Sequence, residues 1–132
     1  MIALGIGCRR NASASEIEAV IVQALVAANL DAGEIAVIAT AVDKLREPGV
    51  IEAANRFGRP LLGIARADLA SVADLAVTRS DLVLRLKGVP SVAETAALAA
   101  IGRTARLILP RLANGSATCA LARGEGVAEA GA

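Results

Sequence analysis

One uninterrupted run near the start, IALGIGCRRNASASEIEAV over Ile2–Val20, leaves a chain little choice of fold. Its opening stretch, Ile2–Gly7, is apolar without alternation, as a strand buried on both faces requires, and such strands belong to parallel sheets covered by helices. A Gly-Cys-Arg-Arg turn follows, then a helix start marked by Ser13 and Glu16 at the spacing of a capping box. That order sets the guanidinium groups of Arg9 and Arg10 beside a helix N-terminus at the carboxyl end of a parallel strand. Open α/β sheets bind ligands there, and helix starts attract anions. The residues point to a ligand carrying carboxylates or phosphates.

The alternation continues along the chain. Further apolar runs predict strands at Ile35–Thr40, Pro60–Ala65, Leu82–Leu86, Arg106–Leu109 and Thr118–Ala122. Between them, Ile17, Val20, Ile21, Ala24, Leu25 and Ala28 recur at three-and-four spacing along one helix face. Val50, Ala53, Ala54 and Phe57 do so along a second, with Gly58 as its stop. A short helix around Asp68–Ala73 and a longer one from Val92 to Ile101, closed by Gly102, complete the set. The last two strands, joined by Pro110–Ala117 with Asn114-Gly115 inside it, are expected to pair antiparallel. The expected fold is α/β: one domain over 1–122, three α/β/α layers, and a mixed, mostly parallel sheet of five to six strands. The Gly/Ala/Glu-rich stretch 123–132 reads as a disordered tail.

Composition narrows the function. With Phe57 as the sole aromatic residue and no His, Trp or Tyr, the 132-residue chain must fill its core with small branched side chains. It also lacks the commonest metal ligand and general base, so neither a metal nor a cofactor is expected. A net charge of +1 argues against general nucleic-acid binding. Apolar runs stop far short of the ~20 residues that span a bilayer, and no charged leader precedes Ile2, so a cytoplasmic protein is expected. Cys8 and Cys119 suit neither a disulfide framework nor a zinc site.

Three segments carry the candidate chemistry. In the first turn, Gly7 permits close approach of main chain to a ligand, and Arg9 and Arg10 can each bind a carboxylate bidentately. Cys8 stands beside two cations ahead of a helix, surroundings that favour a thiolate, but no His can partner it and a small turn residue is the better reading of the place. The third glycine of a dinucleotide fingerprint is missing. Second, Asp43, Lys44, Arg46 and Glu47 follow the second strand and would surround the same crevice. Glu47 before Pro48 also favours a helix start. Third, Gly88 leads into Ser91 and Glu94, again at capping-box spacing, which accounts for both structurally. Two helix starts around one crevice would suit a ligand with several carboxylates.

GIGCRR at Gly5–Arg10, Asp43-Lys44 followed by Glu47, and GVPSVAE at Gly88–Glu94 occur together, in this order, in the CobE family of cobalamin-biosynthesis proteins. The chain resembles that family from its first strand to its last, and the same domain forms the C-terminal part of CbiG. The resemblance implies a role in building the corrin ring of vitamin B12, in the stand-alone form used in the aerobic route. CbiG itself resembles a cobalt-precorrin-5A hydrolase, which opens a lactone and releases acetaldehyde; this chain has no room for its N-terminal portion. The matching residues are Gly7, Cys8, Arg9, Arg10, Asp43, Lys44, Glu47, Ser91 and Glu94, while Thr95 replaces the family's usual Ala.

Three functions remain open at this level. One is binding of a polycarboxylated corrinoid or precorrin intermediate by Arg9, Arg10 and Lys44, with N–H groups near Ser13 and Ser91 completing the anion sites. The second is an enzyme on the same macrocycle, with Asp43 and Glu94 as acid and base. The third is a module that docks other cobalamin-biosynthesis enzymes. Ala-rich helix faces would serve a homodimer or a core equally well.

Overall fold

The computed structural model describes residues 1–78, 85, 89 and 91–124. Five strands form one sheet in the order β3-β2-β1-β5-β4, with β1 at Ile2–Cys8, β2 at Val37–Ala41, β3 at Leu61–Ile64, β4 at Arg106–Asn114 and β5 at Ala117–Arg123. β1, β2 and β3 run parallel, and β5 runs antiparallel to both of its neighbours. Among the described residues, four helices with defined bounds cover the sheet: α1 at Ala14–Ala28, α2 at Pro48–Phe57, α3 at Arg66–Ser71 and α4 at Val92–Ile101. The expected three-layer, mixed α/β fold is what the chain adopts.

The pleat divides the core in two. Ile2, Leu4 and Ile6 of β1, with Ile38, Cys119 and Leu121, pack against Ile17, Val20, Ile21 and Leu25 of α1 and Val50 and Ala53 of α2. The opposite face is made of small residues, among them Ala39, Ala41 and Ala122, and meets α3 and α4 through Leu69, Ala96, Ala97 and Leu98. Here α4 lies almost on the backbone of β1. A Cβ added at Gly5 would stand 2.0 Å from the Ala93 carbonyl oxygen and 2.7 Å from the Ala97 nitrogen. Gly5 and Gly7 both lie inside the strand, so Gly7, expected in the turn, belongs with Gly5 to the face on which a helix docks. A core without large aromatics permits this approach.

Several boundaries differ from expectation, each for a local reason. The apolar run Pro60–Ala65 yields a strand at the edge of the sheet among the described residues, and Leu62 is 42% exposed there. The short helix begins earlier, at Arg66, and a 3₁₀ turn at Ala73–Leu75 follows it. β4 does not end at Leu109 but continues through Pro110 to Asn114, with register shifts between Leu107 and Leu109 and between Leu109 and Leu112. Proline is tolerated because β4 is the other edge strand and the ladder is already interrupted there. Only Gly115 and Ser116 therefore connect the hairpin, with Gly115 at φ 62°. The ladder reaches Arg123, and the Gly124 N–H donates to the Met1 carbonyl at 3.0 Å. The strand expected at Leu82–Leu86 lies outside the described residues except for Arg85, which is helical. Positions 125–132 also lie outside them.

The α4 seat gives a direct test. Gly5→Ala forces backbone against backbone and is expected to lower stability by about 3 kcal/mol or more in urea unfolding. Gly33→Ala, where nothing lies within 4 Å of the added carbon, is the matched control and is expected to change little.

Candidate functional site

The antiparallel placement of β5 brings the tip of the last hairpin to the carboxyl edge of β1, where Cys8 pairs with Ala117. The Arg9 N–H donates to the Ser116 carbonyl at 2.9 Å, and the Ser116 hydroxyl donates to Glu16 Oε1 at 2.7 Å. Glu16 closes the capping box predicted from sequence: its N–H donates to Ser13 Oγ at 3.1 Å, and its carboxylate accepts from the Ser13 N–H at 3.4 Å. The Ser116 hydroxyl first, and the Ser13 N–H after it, hold the Glu16 carboxyl below its ordinary range. The start of α1 is thus pinned by a turn a hundred residues away.

The second loop locks onto the first. Glu47 is the N-cap residue of α2, yet its side chain makes no cap bond there. Instead Glu47 Oε1 accepts from the Asn11 N–H at 2.8 Å, and Asn11 adopts φ 64°, a left-handed conformation that asparagine tolerates. A Cβ on Gly49 would meet the Ala12 carbonyl at 2.2 Å, so α2 begins directly against this turn. Arg9 and Arg10 emerge from it exposed, next to Cys8, which is half-buried. Asp43 and Lys44 sit in a 3₁₀ turn directly after β2, at the same edge of the sheet. Asp43 is exposed and Lys44 half-buried.

α4 also starts at this edge, on the opposite face of the sheet. Val92 Cβ stands 3.6 Å from where a Gly7 Cβ would be, and that position is itself filled by Thr118 Oγ1 at 2.6 Å. Ser91 caps the helix by accepting from the Glu94 N–H at 3.3 Å. Gly88 lies outside the described residues.

Glu94 does not complete that second box. It is fully buried, and its carboxylate accepts from the Val77 N–H at 2.8 Å, the Thr78 N–H at 2.9 Å, the Thr78 hydroxyl at 2.6 Å and the Arg111 N–H at 2.9 Å. Arg111 lies within the second interruption of the β4 ladder, and its N–H is satisfied by Glu94. Burial alone would raise the Glu94 pKa. The bonds from Thr78, Arg111 and Val77 outweigh it, and the carboxyl sits below its ordinary value. Glu94 therefore holds two segments to α4, while Asp43 stands exposed in a different setting. Thr95 is buried and donates to the Ser91 carbonyl at 2.6 Å, which satisfies its hydroxyl within the helix.

Neither cysteine is bridged, and burial pushes the Cys119 thiol far above the usual range. Among the described residues, no group of His, Cys, Asp or Glu could hold a metal ion. No described helix is long and apolar enough to cross a membrane.

Sequence reading missed the hairpin tip, Asn11 and Arg111, because their roles depend on strand order. It also missed Arg66, which opens α3 beside the Asp43 turn and lines a cavity with it. The one available signal for Arg66 was its place just after an apolar run.

Residues 2–122 match the family described as Cobalamin synthesis G C-terminus. The chain belongs to that family of cobalamin-biosynthesis proteins. Protein CobE of a Sinorhizobium species is 34% identical over 121 residues, covering 92% of this chain and 79% of that protein. The 1.7 Å crystal structure of CobE, a protein from the cobalamin (vitamin B12) biosynthetic pathway, matches with a TM-score of 0.87 at 33% identity, covering 93% of this chain and 89% of that one. A probable cobalt-precorrin-5A hydrolase of Methanocaldococcus jannaschii is 26% identical over 129 residues. That match takes in 92% of this chain but 40% of the hydrolase.

The Glu94 bonds carry a stability prediction with a pH signature. Glu94→Gln places an amide NH₂ among donors and is expected to cost about 2–3 kcal/mol at pH 7. A carboxyl held below its ordinary value of 4.5 stabilises the fold above that pH, and the stabilisation is lost as pH falls through the folded-state value. The difference in urea-unfolding free energy between pH 7 and pH 3 is therefore expected to shrink in the variant.

Proposed function

We propose that the chain binds a polycarboxylated corrinoid intermediate at the carboxyl edge of its parallel strands, and holds it for another enzyme of cobalamin biosynthesis. The observation that carries this reading is the Arg9–Arg10 pair, exposed on a turn made rigid by the Asn11–Glu47 and Arg9–Ser116 bonds and adjoining the α1 N-terminus. A fixed turn is suited to presenting guanidinium groups to carboxylates, since little loop freedom remains to be lost on binding. Corrin precursors display many acetate and propionate arms. Lys44 adds a third cation from the neighbouring loop, and the starts of α1 and α4 add backbone N–H groups on either face. In this reading Glu47, Glu94 and Ser91 position the edge, Gly7 and Cys8 give it its shape, and Asp43 limits how closely a carboxylate approaches Lys44.

The relative named as a probable cobalt-precorrin-5A hydrolase favours one second reading, in which the chain acts chemically on the same macrocycle. There Asp43 is the accessible carboxylate, since Glu94 is enclosed by its four donors. A visible absorption spectrum that keeps evolving after mixing, with a new product by mass, would support it.

The binding reading is tested with Arg9→Ala/Arg10→Ala. Each charge-assisted bond contributes about 1.5–3 kcal/mol, and 1.4 kcal/mol is about tenfold in Kd, so the double variant is expected to bind a metal-free corrinoid at least about tenfold more weakly. Spectral titration reads the affinity, and an unchanged Tm shows that the fold is intact. Equal affinity in the two proteins would contradict the proposal.

A further inference from the structure

A cavity of about 190 Å³ opens at the carboxyl ends of β2 and β3, lined by Ala41, Val42, Asp43, Ile64, Arg66 and Leu69. Its inner wall is apolar: Ala41, Ile64 and Leu69 are each at most 6% exposed. Its mouth carries charge, with Asp43 and Arg66 both exposed. Asp43 already engages an interaction within the protein. Arg66 is the one cation among the described lining residues, and Lys44 follows Asp43 in the same turn. An apolar well beneath a guanidinium recognises a short hydrocarbon arm that ends in a carboxylate. At about 30 Å³ per water-sized unit, the volume takes a group of about six or seven heavy atoms.

We propose that this cavity is a specificity subsite that takes one carboxylate-bearing side chain of the ligand, with Arg66 as its anchor. The assignment rests on the corrinoid-binding reading and identifies one contact within it. Adjacent strands lie about 4.8 Å apart, so the ends of β2 and β3 are about 5–10 Å across the edge from the end of β1. One macrocycle can therefore reach Arg9 and Arg10 with some arms and the cavity with another. The cavity gives the protein a way to select an arm by length, which the exposed arginine pair lacks.

Pentanoate, with seven heavy atoms, is the probe. Methyl resonances of Ala41, Ile64 and Leu69 are followed by NMR during titration of the full chain with pentanoate and, separately, with pentylamine. Saturable shifts with pentanoate are expected, weakened at least about fivefold in Arg66→Gln and unchanged in Arg9→Ala/Arg10→Ala. Equal or stronger binding of pentylamine, or no effect of Arg66→Gln, would overturn the subsite. Arg66 is exposed, and circular dichroism checks that its variant folds. The same proteins are then titrated with a metal-free corrinoid. If wild type binds it and Arg66→Gln binds equally well, the subsite fails while the corrinoid reading stands. If wild type fails to bind it yet takes pentanoate through Arg66, the corrinoid reading fails and the cavity stands as a short-chain carboxylate site.

Discussion

The contact on which the rest depends is the close approach of α4 to β1. Gly5 meets the backbone of Ala93 and Ala97 with no room for a methyl group, and small residues on the same face of the sheet let the helix settle that deeply. A helix seated this way presents its N-terminus at the carboxyl end of β1. It also carries Glu94 to a fully buried position between the segment after α3 and the irregular part of β4. Such a carboxylate is costly to bury without donors. Supplied with four, it converts two irregular backbone segments into a fixed wall.

The candidate site inherits its rigidity from this arrangement. β5 enters beside β1 because it runs antiparallel to it, and its turn then reaches Arg9 and Glu16. α2 begins against Ala12, which brings Glu47 within bonding distance of Asn11. Among the described residues, the side chains left exposed along this edge are predominantly basic: Arg9, Arg10, Arg46 and Arg66 project beside the exposed acids Asp43 and Asp68 and two half-buried groups, Lys44 and Glu47. Hydrogen bonds within the protein occupy the acids that shape the edge, and arginines are left to face outward. That division of labour suits recognition of a polyanion.

How much of this the sequence disclosed follows the distance over which each signal acts. The β1–turn–α1 unit was readable because every cue is local: an unbroken apolar run, a Ser13–Glu16 box and a three-and-four stripe. The second helix was legible through Gly58, which does end it at φ 65°. Gly5 was readable as part of the strand, but its seating of a helix 88 or more positions later left no local signal. Glu94 met the spacing rule for a cap, and only the folded chain shows four donors 16 or 17 positions away drawing it elsewhere. Pro110 suggested the end of a strand because its tolerance depends on β4 being an edge, a property of strand order rather than of neighbouring residues. For the same reason Ser116 carried no sequence signal of its bond to Glu16.

The most direct test of the account is where a corrinoid protects the backbone. Amide hydrogen exchange, followed by mass spectrometry with and without a metal-free corrinoid, reports every segment of the full chain at once. Binding at the carboxyl edge predicts slower exchange in the turn 9–13, the loop 42–47 and the start of α3, with little change at the outer faces of α1 and α2. Protection confined to those outer faces, or to the opposite edge of the sheet around Met1, Ile35 and Gly124, would contradict it.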